Sequence, residues 1–191
     1  MKIWGCLLIL FSMTFIQITV ADEGAQMAPV VSGFRGDSLM LQSEVEKKIE
    51  DLAAAMPAEK YSWRPGEGVR SVGEVYMHIA GANYFVLKMA GVETPAGMGA
   101  SENMDKDAND KAKVADALKQ SSEFLRQTIV KTADSDLDKK VKLFGQEMTM
   151  RGVFMLLVGH MQEHLGQSIA YARMNGVVPP WTAAQQKQSP K

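Results

Sequence analysis

Cysteine is almost missing from this chain: Cys6 is the only one among 191 residues, and it lies in an N-terminal apolar run. A single thiol excludes a disulfide framework, and removal of that run would leave no cysteine nucleophile. Cys6 also comes too early to be a lipoprotein cysteine, which should close the run. Charge of one sign is lacking too. The formal net charge is −1 at pH 7, which argues against nucleic acid held by electrostatics. No internal repeat, coiled-coil heptad series, glycine-rich phosphate loop or cysteine pair appears. Histidine is scarce, with three in the whole chain. Where those three stand is the main functional clue.

Hydrophobic residues make up 46% of the chain, ample for one core in one domain. The N-terminus reads separately. Met1-Lys2 precedes an apolar run that ends near Thr19-Val20-Ala21, a charged start, apolar centre and small-residue finish. Residues 1–21 are therefore expected to be a secretory signal peptide cut after Ala21. The mature protein would be periplasmic or secreted, with no stable membrane association after cleavage. The alternative, a retained anchor, is disfavoured by Ser12, Thr14, Gln17 and Thr19 within a run barely long enough to span.

Residues 22–36 are small, polar and punctuated by Gly and Pro, and read as a flexible lead-in. A first helix is expected over 38–56, with Asp37 as cap and Leu41, Val45, Ile49, Leu52 and Met56 inward. Tyr61 and Trp63 in the following loop would pack over the core. Ser71-Val72-Gly73-Glu74 spells a capping box that opens a second helix, which ends near Gly91 and carries His78. Glu74, one turn before His78, has capping as its default role and orientation of the imidazole as its second. A third helix is expected over 108–131, with Val114, Ala115, Leu118, Ser122, Leu125 and Ile129 inward. A brief hairpin follows around Gly145-Gln146. The fourth helix lies within 149–180, with Thr149 as cap and Gly176 past its end. The tail, 181–191, reads as polar and flexible. The expected fold class is all-α, a four-helix bundle over residues 37–180.

On the fourth helix, Val153, Leu156, Leu157, His160, His164, Gln167 and Tyr171 trace a 3.6-residue stripe. His160 and His164 stand one turn apart where leucines would be expected, so their rings are neighbours able to grip one ion. If His78 joins them, three neutral nitrogen ligands leave a fourth position open, as catalytic sites do. Zinc is the first expectation for the metal, with nickel, iron and manganese allowed by the same ligands. Histidines hydrogen-bonded inside a structural bundle are the bland alternative. The stretch His160-Met161-Gln162-Glu163-His164 also spells the inverted zinc-protease pattern, with Glu163 as base. That motif normally needs a further acidic ligand well downstream, where only a short tail remains. From Val153 to Val158 the helix is apolar nearly all round, as a central or dimer-forming helix would be.

Two blocks, YSWRPGEGVRSVGEVYMHIAGANYF over 61–85 and GHMQEHLGQSIAYARMNGVVPP over 159–180, resemble the DinB/YfiT-like family of four-helix metal-binding proteins. The resemblance covers about residues 38–180. It implies metal ligands at His78, His160 and His164, and places Gln167 one turn beyond His164, facing the site. Assisting catalytic roles fall to Glu163 and Gln167. It also implies a homodimer acting on a small molecule, either as a metal-dependent hydrolase or as a thiol transferase. An exported protein would lack cytoplasmic thiol cosubstrates, which weighs against thiol transfer. A bundle that binds a metal or small ligand without turnover is the alternative function.

Overall fold

The computed structural model describes residues 31–96, 98 and 105–188. The signal sequence expected over 1–21 and most of the lead-in lie outside these residues. Five helices and one hairpin form the described chain: α1 (Gly33–Ala55), α2 (Val72–Met89), α3 (Lys111–Lys131), β1 (Lys140–Leu143), β2 (Gln146–Thr149), α4 (Met150–Met174) and α5 (Pro180–Gln188). Single turns of 3-10 helix stand at Ala58–Lys60, Asp105–Asp107 and Asp134–Asp136. No helix among the described residues is long and apolar enough to cross a membrane.

Helices α1 to α4 make the bundle. α1 packs on α3 and α4, and α2 packs on the same two, so α1 and α2 sit on a diagonal. α1 runs antiparallel to α3: Arg35 reaches Val130, while Lys111 reaches Ala54 and Met56. α2 and α3 run parallel, with Gly73 beside Ala108 and Asn83 bonded to Ser121. Parallel neighbours cannot be joined by a tight turn, which accounts for the long connection between them. Gly73 is the closest approach. A Cβ there would stand 1.7 Å from the Ala108 carbonyl oxygen, so only glycine lets the chain pass.

The core is a continuous apolar cluster that includes Val45, Ile49, Leu52, Val75, Ile79, Leu118, Leu125, Phe154 and Leu157. Tyr61 is buried within it and donates from its hydroxyl to the Ala53 carbonyl at 2.9 Å. That burial pushes the phenol up to about 12. The expected capping box is formed: Glu74 N–H donates to Ser71 Oγ, and Ser71 N–H donates to Glu74 Oε2 at 2.7 Å. Thr149 caps α4 by accepting from Gly152 N–H at 3.1 Å. The hairpin pairs Leu143 with Gln146 across Phe144-Gly145, whose φ values of 49° and 80° give a tight left-handed turn.

Four expectations need correction. α1 begins at Gly33, so residues 33–36 of the expected lead-in are helical. Tertiary contacts hold this extra turn in place of an Asp37 cap. Arg35 Nε donates to Asp134 at 2.7 Å, and the Arg151 guanidinium lies 4.6 Å from the Phe34 ring centroid. Within α1, Leu41 is 41% exposed while Gln42 is fully buried and donates to the Ser122 carbonyl at 2.8 Å. A hydrogen bond across to α3 thus takes the position that hydrophobicity assigned to leucine. On α3, Ala115 is exposed and Ser121 buried. The tail expected to be flexible forms α5 as far as Gln188. Pro180 opens it, a residue suited to a first helical position, and Trp181 packs against the core.

Candidate metal centre

His78 lies midway along α2, and His160 and His164 lie one turn apart on α4. Packing of α2 against α4 brings the three together. His160 Nε2 stands 3.0 Å from His78 Nε2 and 3.1 Å from His164 Nε2, with the rings mutually edge-on. His164 is buried, and His78 and His160 are half-buried, so the cluster has one side open.

The chemistry of the donors fits a metal ion. A neutral imidazole nitrogen offers one proton or one lone pair. His160 Nε2 therefore cannot form two full hydrogen bonds to two other Nε2 atoms, and three lone pairs left facing one another repel. A shared cation resolves the conflict. The tautomer of His164 is set in the required sense: its Nδ1–H donates to Gln167 Oε1 at 2.8 Å, which leaves Nε2 unprotonated. Gln167 is oriented in turn by donating from Nε2 to the Tyr171 hydroxyl at 3.0 Å. The Tyr171 ring is held edge-on by Trp63, with centroids 5.4 Å apart. His160 Nδ1 is buried and has no hydrogen-bond partner among the described residues.

Burial lowers the His78 imidazolium to about 4, aided by the charges of Arg70, His160 and His164. Burial likewise lowers His160 to about 4, with His164 and Arg70 assisting and Glu163 opposing. Both rings are thus neutral near pH 7, the state in which they ligate a metal.

The three histidines come together, and Gln167 is hydrogen-bonded to His164. Glu163 does not line the cluster. Its side chain is exposed and makes no hydrogen bond or ion pair among the described residues, although its charge reaches His160. Glu74 is committed to capping Ser71 and to Arg64 Nη2 at 2.8 Å, and does not orient His78. The link through Tyr171 to Trp63 was missed, although Gln167 and Tyr171 already lay on one stripe at helical spacing.

A bundle with a three-histidine centre on two of its helices defines the class, and comparison with known proteins supplies the family. The chain belongs to the DinB superfamily, whose family model matches residues 43–168. A DinB-like protein from Bacillus cereus is similar in structure, with a TM-score of 0.66 at 21% identity over 75% of this chain and 93% of that one. YfiT from Bacillus subtilis, described as a probable metal-dependent hydrolase with an unusual four-helix bundle topology, gives 0.61 at 16% identity over 78% and 93%. A second DinB-like protein from Bacillus subtilis gives 0.58 at 20% over 74% and 93%. No curated protein sequence matches the chain.

Proposed function

We propose that this protein is a metal-dependent hydrolase of small molecules. The observation that carries the reading is the convergence of three Nε2 atoms, from His78, His160 and His164, at a half-open position between two helices. These residues would hold a divalent ion, zinc first among the candidates. Such an ion, when bound with a free coordination position, supplies Lewis-acid activation of water and of the group to be cleaved.

The chain's own residues divide the remaining work. Gln167 keeps His164 in the ligating tautomer, and Tyr171 with Trp63 keeps Gln167 in place. Burial keeps His78 and His160 unprotonated at neutral pH. Glu163, exposed beside His160 and without a hydrogen-bond partner among the described residues, is the carboxylate available to accept a proton at the rim. Water is favoured over a thiol as the nucleophile because the N-terminal run reads as an export signal. The same reading includes a homodimer and a mature protein beginning near Asp22, which N-terminal sequencing would check.

Turnover by zinc-loaded and chelator-treated protein on a panel of amides, esters and electrophile–thiol pairs tests the proposal. Hydrolysis that disappears with the metal and in His78→Ala is expected. Thiol transfer without hydrolysis would replace the reading. Stoichiometric metal with no turnover on any member would favour a binding bundle.

A further inference from the structure

α2 is buried on nearly every side. Apart from Lys88 near its end, the residues that reach solvent form one row: Glu74, His78, Ala82, Phe85 and Met89. Their spacing keeps them on one narrow face of the helix, with Ile79, Asn83 and Val86 buried beside it. The row changes character at His78. Toward the N-terminus it is polar, since Glu74 accepts from Ser71 N–H and from Arg64. Toward the C-terminus it is apolar. Across the seam Leu156 stands on α4, one turn before His160, and is exposed as well. The hairpin that leads into α4 packs on α2 and meets Phe85, so both helices carry apolar residues in the same direction from the histidines. This strip ends at Phe144, whose ring centroid lies 6.3 Å from that of Phe85.

Phe144 is an uncommon residue for its position. It opens the hairpin turn with a φ of 49°, a left-handed conformation where asparagine or glycine is the ordinary choice and a bulky side chain is strained. Its ring gains no burial in return, because it is exposed. An aromatic ring held at a steric cost against a second exposed ring, in line with the histidine cluster, fits a wall that receives a ligand. From His78 to Phe85 the helix rises about 10 Å. We propose that this strip binds the apolar arm of the substrate, an amide or ester whose linear apolar arm is roughly 10 Å long. The inference rests on the hydrolase reading above. A second copy of the chain is the rival occupant. A single row with one ring pair and Leu156 offers far less than the roughly 800 Å² each partner gives to a stable interface. Met155 stands about 140° around α4 from His160, off the strip.

The test uses chelating probes, so that failure of the metal site and failure of the strip can be told apart. Aceto-, butyro-, hexano- and octanohydroxamic acid would be titrated calorimetrically into zinc-loaded protein. Each puts the same chelating head on the metal and a tail of different length on the strip. Full burial of a methylene strengthens binding about fourfold, so on a half-open strip wild-type affinity should rise about twofold for each one added. The heat capacity of binding should become more negative along the series. Phe85→Gln and Phe144→Asn should each bind octanohydroxamic acid roughly five- to tenfold more weakly, with zinc content and acetohydroxamic acid affinity unchanged. Phe144→Asn should also melt at or above the wild-type temperature, because asparagine suits the turn, which separates loss of the wall from damage to the fold. Equal affinity across the series, or a length preference kept intact by both variants, would overturn the inference and leave the metal site standing. So would a dimer that Phe85→Gln dissolves and whose affinity ignores tail length, which would assign the strip to a second copy. Failure of every hydroxamic acid to bind the wild type would overturn both readings.

Discussion

Replacing Gln167 by Leu tests whether the cluster is arranged for a metal or merely packed. Gln167 Oε1 is the acceptor for His164 Nδ1–H at 2.8 Å, and leucine of similar volume leaves that N–H without a partner in a buried position. The imidazole then loses both its fixed tautomer and its fixed orientation. Removal of such a supporting acceptor weakens metal affinity about 10- to 100-fold, or about 1.4–2.7 kcal/mol. Tyr171→Phe acts one bond further away, removing the 3.0 Å contact that aims Gln167 but sparing the acceptor itself. Its effect should be smaller, about two- to fivefold, the worth of one neutral hydrogen bond. Competition for zinc against a chromophoric chelator measures both affinities, with circular dichroism confirming that each variant is folded. Wild-type affinity in folded Gln167→Leu would refute the reasoning. So would a larger loss in Tyr171→Phe than in Gln167→Leu.

Gly73→Ala should destabilise the fold by about 1–3 kcal/mol or more, because the new Cβ meets a backbone carbonyl at 1.7 Å; a thermal melt within a degree of wild type would contradict the close α2–α3 approach. In metal-free protein, His78 and His160 have folded values near 4 against an ordinary 6.5, so the unfolded chain binds more protons between those limits. Stability should therefore be fully present above about pH 6.5 and fall as pH drops toward 4, and His78→Ala should flatten that slope in urea titrations. Met155 and Leu156 are 64% and 39% exposed on α4, and the paired rings of Phe85 and Phe144 are 44% and 62% exposed. Light scattering should give a dimer mass that Met155→Glu with Leu156→Glu reduces to monomer; a wild-type monomer across a wide concentration range would exclude the homodimer.

Much of the scaffold was legible because its signals are local. The capping box at Ser71, the Thr149 cap, the hairpin around Gly145 (its turn one residue earlier than the expected Gly145-Gln146) and the stripe through Leu157 and Tyr171 each depend on residues a few positions apart. The His160/His164 pair was readable for the same reason. His78 was not readable from spacing, since 82 positions separate it from His160 and only packing of α2 on α4 joins them; family resemblance supplied that link. Where expectation failed, a distant partner decided. Gln42 turns inward because Ser122 offers a carbonyl, and the first turn of α1 forms because Arg35 finds Asp134. α5 is polar and carries almost no periodic signal, but Trp181 packs it against the core.

The central claim is that three imidazoles from two helices hold one metal ion, and metal content of purified, dialysed protein measured by plasma mass spectrometry tests it most directly. The wild type should retain about one divalent ion per chain, and Glu163→Gln should retain it as well. His78→Ala should lose it, because two imidazoles on α4 cannot hold such an ion comparably. Wild-type protein that takes up no stoichiometric metal, or His78→Ala protein that keeps it with undiminished affinity, would contradict the account.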